Sequence, residues 1–249
     1  MPAEEAPPGL LRYGPHPAQT VEYQDACSGP ARGLAVLVHG GYWRARHTAS
    51  LMVPLARDLV AHGWAAANIE YRSNGNGGGW PGTFEDTEAA IDAIRRSDWG
   101  RRQAGPVVGI GHSVGGQLVL LNAARLDAAV ALAPVTDIER TYQERLGEDA
   151  AAEFFGAGPD RRPDDYAAAS PIRRLPLDIP ALIVHGATDA RVPLRHSEAY
   201  VSQARRAGDH PDFHCLNELD HLAAIDPSAP HWNDVRSWLD STAAQSILS

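Results

Sequence analysis

With 249 residues, 44% of them hydrophobic and 21% charged, the chain is long enough to bury one sizeable core and has an ordinary globular balance. A formal net charge of −9 argues against a nucleic-acid partner, which would need a clustered basic surface; "RRQ" at 101–103 and "DRRPDD" at 160–165 are short, mixed in sign and read as solvated surface. No apolar run approaches the roughly 18–20 residues of a membrane span, and the acidic, proline-rich start lacks a secretory pattern. The two cysteines, Cys27 and Cys215, lie far apart, so the expectation is a cytoplasmic protein with two free thiols.

In chain order, residues 1–18 read as an N-terminal tail, and "AQTVEYQDA" as a first edge strand. "GLAVLVHG" (33–40) is a short continuous apolar run ending in glycines, as expected of a strand buried on both faces. "SLMVPLARDLVAHG" spaces Leu51, Leu55, Leu59 and Val60 at helical intervals and stops at Gly63. "WAAANIEYR" follows as strand, then the loop "SNGNGGGWPG" and the amphipathic helix "FEDTEAAIDAIRRS". "PVVGIGHS" reads as strand, "VGGQLVLLNAARL" as helix and "AAVALAPVTD" as strand. After an irregular stretch come the strand "PALIVHGATD", the helix "LRHSEAYVSQARRAG", the strand "DFHCLNELD" and the closing helix "HWNDVRSWLDSTAAQ". Such alternation implies βαβ units and a mostly parallel sheet covered on both faces, hence a single α/β domain over residues 19–249. The irregular stretch, about 138–178, contains the helical pattern "TYQERLGEDAAAEFFG" and is expected to form a small cap inserted after a strand.

Ser113 stands between Gly111 and Gly115, where a strand hands over to a helix. That is the context of a nucleophile elbow, a strained turn whose small flanking residues relieve crowding. A nucleophilic serine needs a base, an acid to orient the base, and donors for the developing oxyanion. Asp189, after the strand "PALIVHG", and His221, after "DFHCLNEL", supply acid and base in the order Ser…Asp…His. Asp137, at the end of "ALAPVTD", is a competing acid. Asp220 and Asp226 flank the base but read as loop acids, and His39 and His185 as structural histidines at strand ends.

The turn "HGGYW" (39–43) lets the backbone approach a substrate closely. Its N–H groups at Gly41 and Tyr42, with Gly40 as a substitute, join that of Val114 as candidate oxyanion donors. Trp43 and Trp80 fall in loops expected around a substrate pocket. "GNGGGW" matches neither a phosphate loop nor a dinucleotide fingerprint, and no His/Cys cluster has metal-ligand spacing, so no cofactor or metal is expected.

"HGGYW", "GHSVGG", "HGATDARVP" and "DH", in this order, resemble the α/β-hydrolase superfamily over about residues 19–241. "HGGYW" is similar to the oxyanion motif of the kynurenine formamidase (arylformamidase) group and of hormone-sensitive-lipase-like esterases. "DYAAASPI…IPALIVHGATDARVP" resembles the catalytic domain of the prolyl oligopeptidase family, whose large accessory domain these 249 residues have no room for. His112 and Val114 depart from the esterase elbow "GDSAGG". The resemblance implies a serine hydrolase acting on a small ester or amide through an acyl-enzyme. A short-peptide peptidase, an acyltransferase and a non-catalytic binding protein on the same fold are the alternatives.

Overall fold

The computed structural model describes residues 7–246. Strands β1 (Gly9–Arg12), β2 (Thr20–Gln24), β3 (Leu34–Val38), β4 (Ala65–Glu70), β5 (Val107–His112), β6 (Ala128–Leu132), β7 (Ala181–Gly186) and β8 (Asp212–Leu216) form one sheet. Their order is β1-β2-β4-β3-β5-β6-β7-β8. From β4 to β8 every neighbour is parallel, and β1 and β2 add an antiparallel margin. The helices are α1 (Val53–Ala61), α2 (Gly82–Arg96), α3 (Asp98–Arg102), α4 (Val114–Leu121), α5 (Ile138–Gln143), α6 (Leu146–Phe155), α7 (Pro163–Ala168), α8 (Arg195–Ala207) and α9 (His231–Ser246).

The expected tail is corrected in part. Residues 9–12 enter the sheet as β1, pairing Leu11 with Val21, because "LLRY" after the prolines can alternate its side chains across an edge strand. Residues 1–6 of that tail lie outside the described residues.

The apolar runs are split by strand alternation into two cores. Leu37, Ile110, Val130, Leu132, Leu182 and Val184 face α1 and α9, where Leu55, Leu59, Trp232 and Leu239 meet them. Val36, Val38, Ala129, Ala131 and Ile183 face the other way, towards Ile91, Ile94, Leu118 and Tyr200 of α2, α4 and α8. Burial on both sides explains why β3, β6 and β7 read as unbroken hydrophobic segments. Helix ends follow local chemistry. Pro54 opens α1, Ser97 accepts from the Gly100 N–H to start α3, and Gly208 closes α8 at φ 100°.

A third, smaller core sits above the carboxyl ends of the strands. Helices α5, α6 and α7, all between β6 and β7, bring Ile138, Phe154, Phe155 and Tyr166 down onto Tyr42, Trp43 and Val114. Open α/β sheets place their sites at that end.

Candidate active site

Ser113 follows β5 directly and adopts φ 57°, ψ −120°, a conformation L-residues rarely take. Its glycine neighbours are there because the elbow has no room. A Cβ on Gly111 would lie 2.2 Å from the Gly115 carbonyl oxygen, and one on Gly115 would lie 2.0 Å from the Val38 oxygen. The elbow helix α4 therefore rests backbone-to-backbone on β3, and its N-terminus is aimed at the serine.

Beyond β3 the chain turns through Gly41 (φ 122°), Tyr42 (φ 52°) and Trp43 (φ 57°). Three consecutive left-handed residues, two of them aromatic, need support from outside the turn. The Trp43 indole N–H donates to Gln117 Oε1 at 2.9 Å, and the Tyr42 hydroxyl donates to the Arg191 carbonyl at 2.6 Å. The glycine-rich loop supplies the rest: the Asn74 N–H donates to the Trp43 carbonyl at 2.7 Å, and the Ala45 N–H to the Asn74 carbonyl at 3.0 Å. Loop 73–80 is thus a brace for this turn. Among the described residues, the backbone N–H groups of Gly41, Tyr42 and Val114 donate to no other protein group. Burial pushes the Tyr42 phenol up to about 12, with the Asp189 charge adding to the effect, so it keeps its proton.

Asp189 lies after β7 and His221 after β8, and they meet: His221 Nδ1 stands 2.6 Å from Asp189 Oδ2. The other carboxylate oxygen accepts the N–H groups of Arg191 and Val192 at 2.8 and 2.9 Å. Burial alone would raise the Asp189 pKa, but hydrogen bonds from His185 and His221 and the Val192 N–H hold it well below the usual carboxylate range. An ionised carboxylate can only accept, so His221 Nδ1 carries its proton, and Nε2 of the neutral ring is left as the basic nitrogen.

His185 makes structural hydrogen bonds, as its place at a strand end suggests, to the Val192 carbonyl (2.8 Å) and Ser197 Oγ (2.7 Å). It also stands 3.3 Å from Asp189 Oδ2, a support that no local motif announces. His39 bonds the Gly40 carbonyl and Glu70. The competing acids are occupied elsewhere: Asp137 caps α5 through the Arg140 N–H, Asp220 takes the N–H groups of Leu222 and Ala223, and Asp226 takes Ser228.

Gly41, Tyr42, Ser113, Val114, Asp189 and His221 lie at one end of the sheet, but the two tryptophans sit differently from a pocket wall. Trp43 is 1% exposed and stacks on Phe154, and the Trp80 indole donates to Asp165 while packing near Phe84 and Phe155. Both join the fold's body to the overlying helices. Gly147, where a Cβ would come within 2.6 Å of the Tyr42 ring, brings the same segment over the turn. Among the described residues, no group of three His, Cys, Asp or Glu side chains could hold a metal ion, no helix is long and apolar enough to cross a membrane, and Cys27 and Cys215 are separate exposed thiols.

The sequence profile of the prolyl oligopeptidase family matches residues 63–245, from just before β4 to the end of α9 and excluding the turn at 39–43. Esterase LipC of Mycobacterium tuberculosis is 26% identical over 228 residues, covering 78% of this chain, and this chain spans about half (54%) of that protein's length. A truncated carbohydrate esterase from gut microbiota superposes with a TM-score of 0.84 at 18% identity, over 98% of this chain and 99% of that one. Thermogutta terrifontis esterase 2, phosphonylated by sarin, superposes with a TM-score of 0.71 at 16% identity, over 94% of this chain and 97% of the other. At such identities the superpositions speak for the fold.

Proposed function

This chain belongs to the prolyl oligopeptidase family and has the α/β-hydrolase fold, and on that premise we propose that it is a serine esterase cleaving a small carboxylic ester through an acyl-enzyme. One observation carries the reading: the 2.6 Å Asp189–His221 pair and the strained Ser113 elbow lie at the same end of the sheet, where the backbone N–H groups of Gly41, Tyr42 and Val114 have no other acceptor among the described residues. The esterase names of the relatives at 26%, 18% and 16% identity point the same way.

In this mechanism Ser113 Oγ attacks the ester carbonyl while His221 Nε2 takes its proton. The carbonyl oxygen becomes an oxyanion held by the N–H groups of Gly41, Tyr42 and Val114, dipoles already oriented before charge develops. Asp189 keeps Nδ1 protonated and stabilises the imidazolium. On collapse the C–O bond breaks, and the alcohol leaves with the proton from Nε2. Water then repeats the sequence on the acyl-enzyme, releasing the acid and restoring Ser113.

An aryl formamide is the second substrate class, supported by the likeness of "HGGYW" at 39–43 to the arylformamidase oxyanion motif. Side-by-side kcat/KM values for a short-chain aryl ester, an aryl formamide and a dipeptide amide decide between them. The ester reading expects the ester to lead by about tenfold or more, since discrimination of that size needs only a modest difference in transition-state binding. A clear lead for the formamide moves the assignment to C–N cleavage, and failure to turn over any of the three overturns the hydrolase reading.

A further inference from the structure

His112, the residue before Ser113, has no part in the mechanism above. It closes β5, and strand alternation places it on the face of Val108 and Ile110, where α9 and the turn after His221 pack. Its ring is 2% exposed, and Nε2 lies 2.9 Å from the backbone carbonyl of His221, a residue 109 positions away. The two imidazoles stand 4.5 Å apart, centroid to centroid, at 48°.

We propose that His112 is the positioning residue for the base: its Nε2–H holds the His221 backbone, and thereby fixes where the base imidazole stands relative to the hydroxyl on the very next residue, Ser113. The inference rests on the serine-esterase reading and deepens it. A carbonyl can only accept, so Nε2 carries the proton and Nδ1 is bare. Nδ1 is buried, has no partner among the described residues, and faces Gly40, where a Cβ would lie 3.0 Å away. A second proton there would be a buried, unpaired charge. Burial first, and then the neighbouring His221, push the His112 pKa down to about 3. The ring therefore remains a neutral donor when His221 becomes an imidazolium, and presents no like charge to it.

The consequence is a short mechanical link. Nucleophile and base come from strands β5 and β8, with β6 and β7 between them in the sheet. His112 joins them through one peptide bond on one side and one hydrogen bond on the other. Asp220 secures the far side of the base by capping the turn at Leu222 and Ala223. His221 is thus held at its ring by Asp189, at its carbonyl by His112, and beyond it by Asp220.

The test compares His112→Leu, which keeps the bulk and removes the donor, with His112→Gln, whose amide N–H can reach the same carbonyl. Turnover of a short-chain aryl ester is normalised to sites titrated with a phosphonylating reagent, and melting temperatures are recorded. The far-downfield NMR resonance of the His221–Asp189 proton is followed as a readout that needs no turnover. His112→Leu is expected to lose about 100-fold in kcat per titrated site with KM changed less than about twofold, the scale of an ångström-sized misplacement. Its downfield resonance should broaden or vanish, while His112→Gln keeps the resonance and recovers most of kcat. The proposal is overturned if His112→Leu keeps wild-type turnover or an unchanged resonance, or if His112→Gln is as impaired as His112→Leu. Should the wild-type protein hydrolyse no ester, the esterase reading fails by itself, and the resonance still decides whether His112 positions the ring.

Discussion

The elbow around Ser113 and the helical segment above it, residues 138–173, lie at the same end of the sheet but are held by different forces. At the elbow, main chain lies against main chain: Gly111 on Gly115, and Gly115 on the Val38 and His39 oxygens. The upper segment is held by side chains. Phe155 packs on Tyr166 at 4.4 Å, Trp43 stacks on Phe154, Arg44 pairs with Glu153, and Glu144 ties α5 to Arg195 and His196 of α8. Even its left-handed turn at Gly147–Asp149 is held largely by side chains, through the Arg145–Asp149 pair, Arg44 on Glu148 and the Tyr42 ring against Gly147. Main-chain packing tolerates no added atom and so preserves one chemical geometry. Side-chain packing can be re-cut at modest cost.

The largest break in this contrast is expected from Asp189→Asn, which leaves the packing intact and lets the imidazole settle in the wrong tautomer. A loss of about 10⁴ in kcat is expected, with melting temperature shifted little. A fall of less than about tenfold would return Asp137 to consideration as the acid. Next comes a pair of glycines. Gly115→Ala drives a methyl into the Val38 oxygen and should cost about 1–3 kcal/mol together with most of the activity. Gly156→Ala, in the upper segment, meets nothing within 4 Å. It pays only for its left-handed φ of 71°, about 1 kcal/mol, and should leave kcat within about twofold. Equal losses from the two would erase the distinction.

The smallest effect is one of pH. Burial works against the Glu144 charge, but hydrogen bonds from His196, Arg140 and Arg195 hold its pKa near 2, against an ordinary 4.5. Because the folded value is the lower one, the stabilisation is full above about 4.5 and is lost as pH falls towards 2. Hydrogen exchange of α5 and α6 should therefore quicken between these limits, while that of β5 and α4 stays slow. The reverse order would contradict the assignment of forces.

The same contrast governs what could be read from the sequence. Glycines demanded by main-chain approach leave a local signature, so the elbow, the turn at 39–43 and the buried strands were all visible as short patterns. Asp189 and His221 followed from chain order. Contacts made by side chains across long separations leave no such trace. Nothing near Trp43 announces Gln117, and nothing near His112 or His185 announces the His221 carbonyl or Asp189. Trp43 and Trp80 accordingly read as pocket residues by their place in loops, whereas Phe154 and Asp165, which tie them to the upper helices, are far away in sequence. Strand β1 has no clear sequence signature because the prolines before it dominate the local composition.

The central claim is that this arrangement makes Ser113 a nucleophile, and trapping tests it most directly. Treatment with a phosphonylating inhibitor, followed by intact-mass and peptide mass spectrometry, should show one adduct per chain, on Ser113. Ser113→Ala should take up none and lose more than about 10³-fold in kcat while melting like the wild type. Labelling at another residue, or a Ser113→Ala protein that still turns over ester at a wild-type rate, would contradict the account.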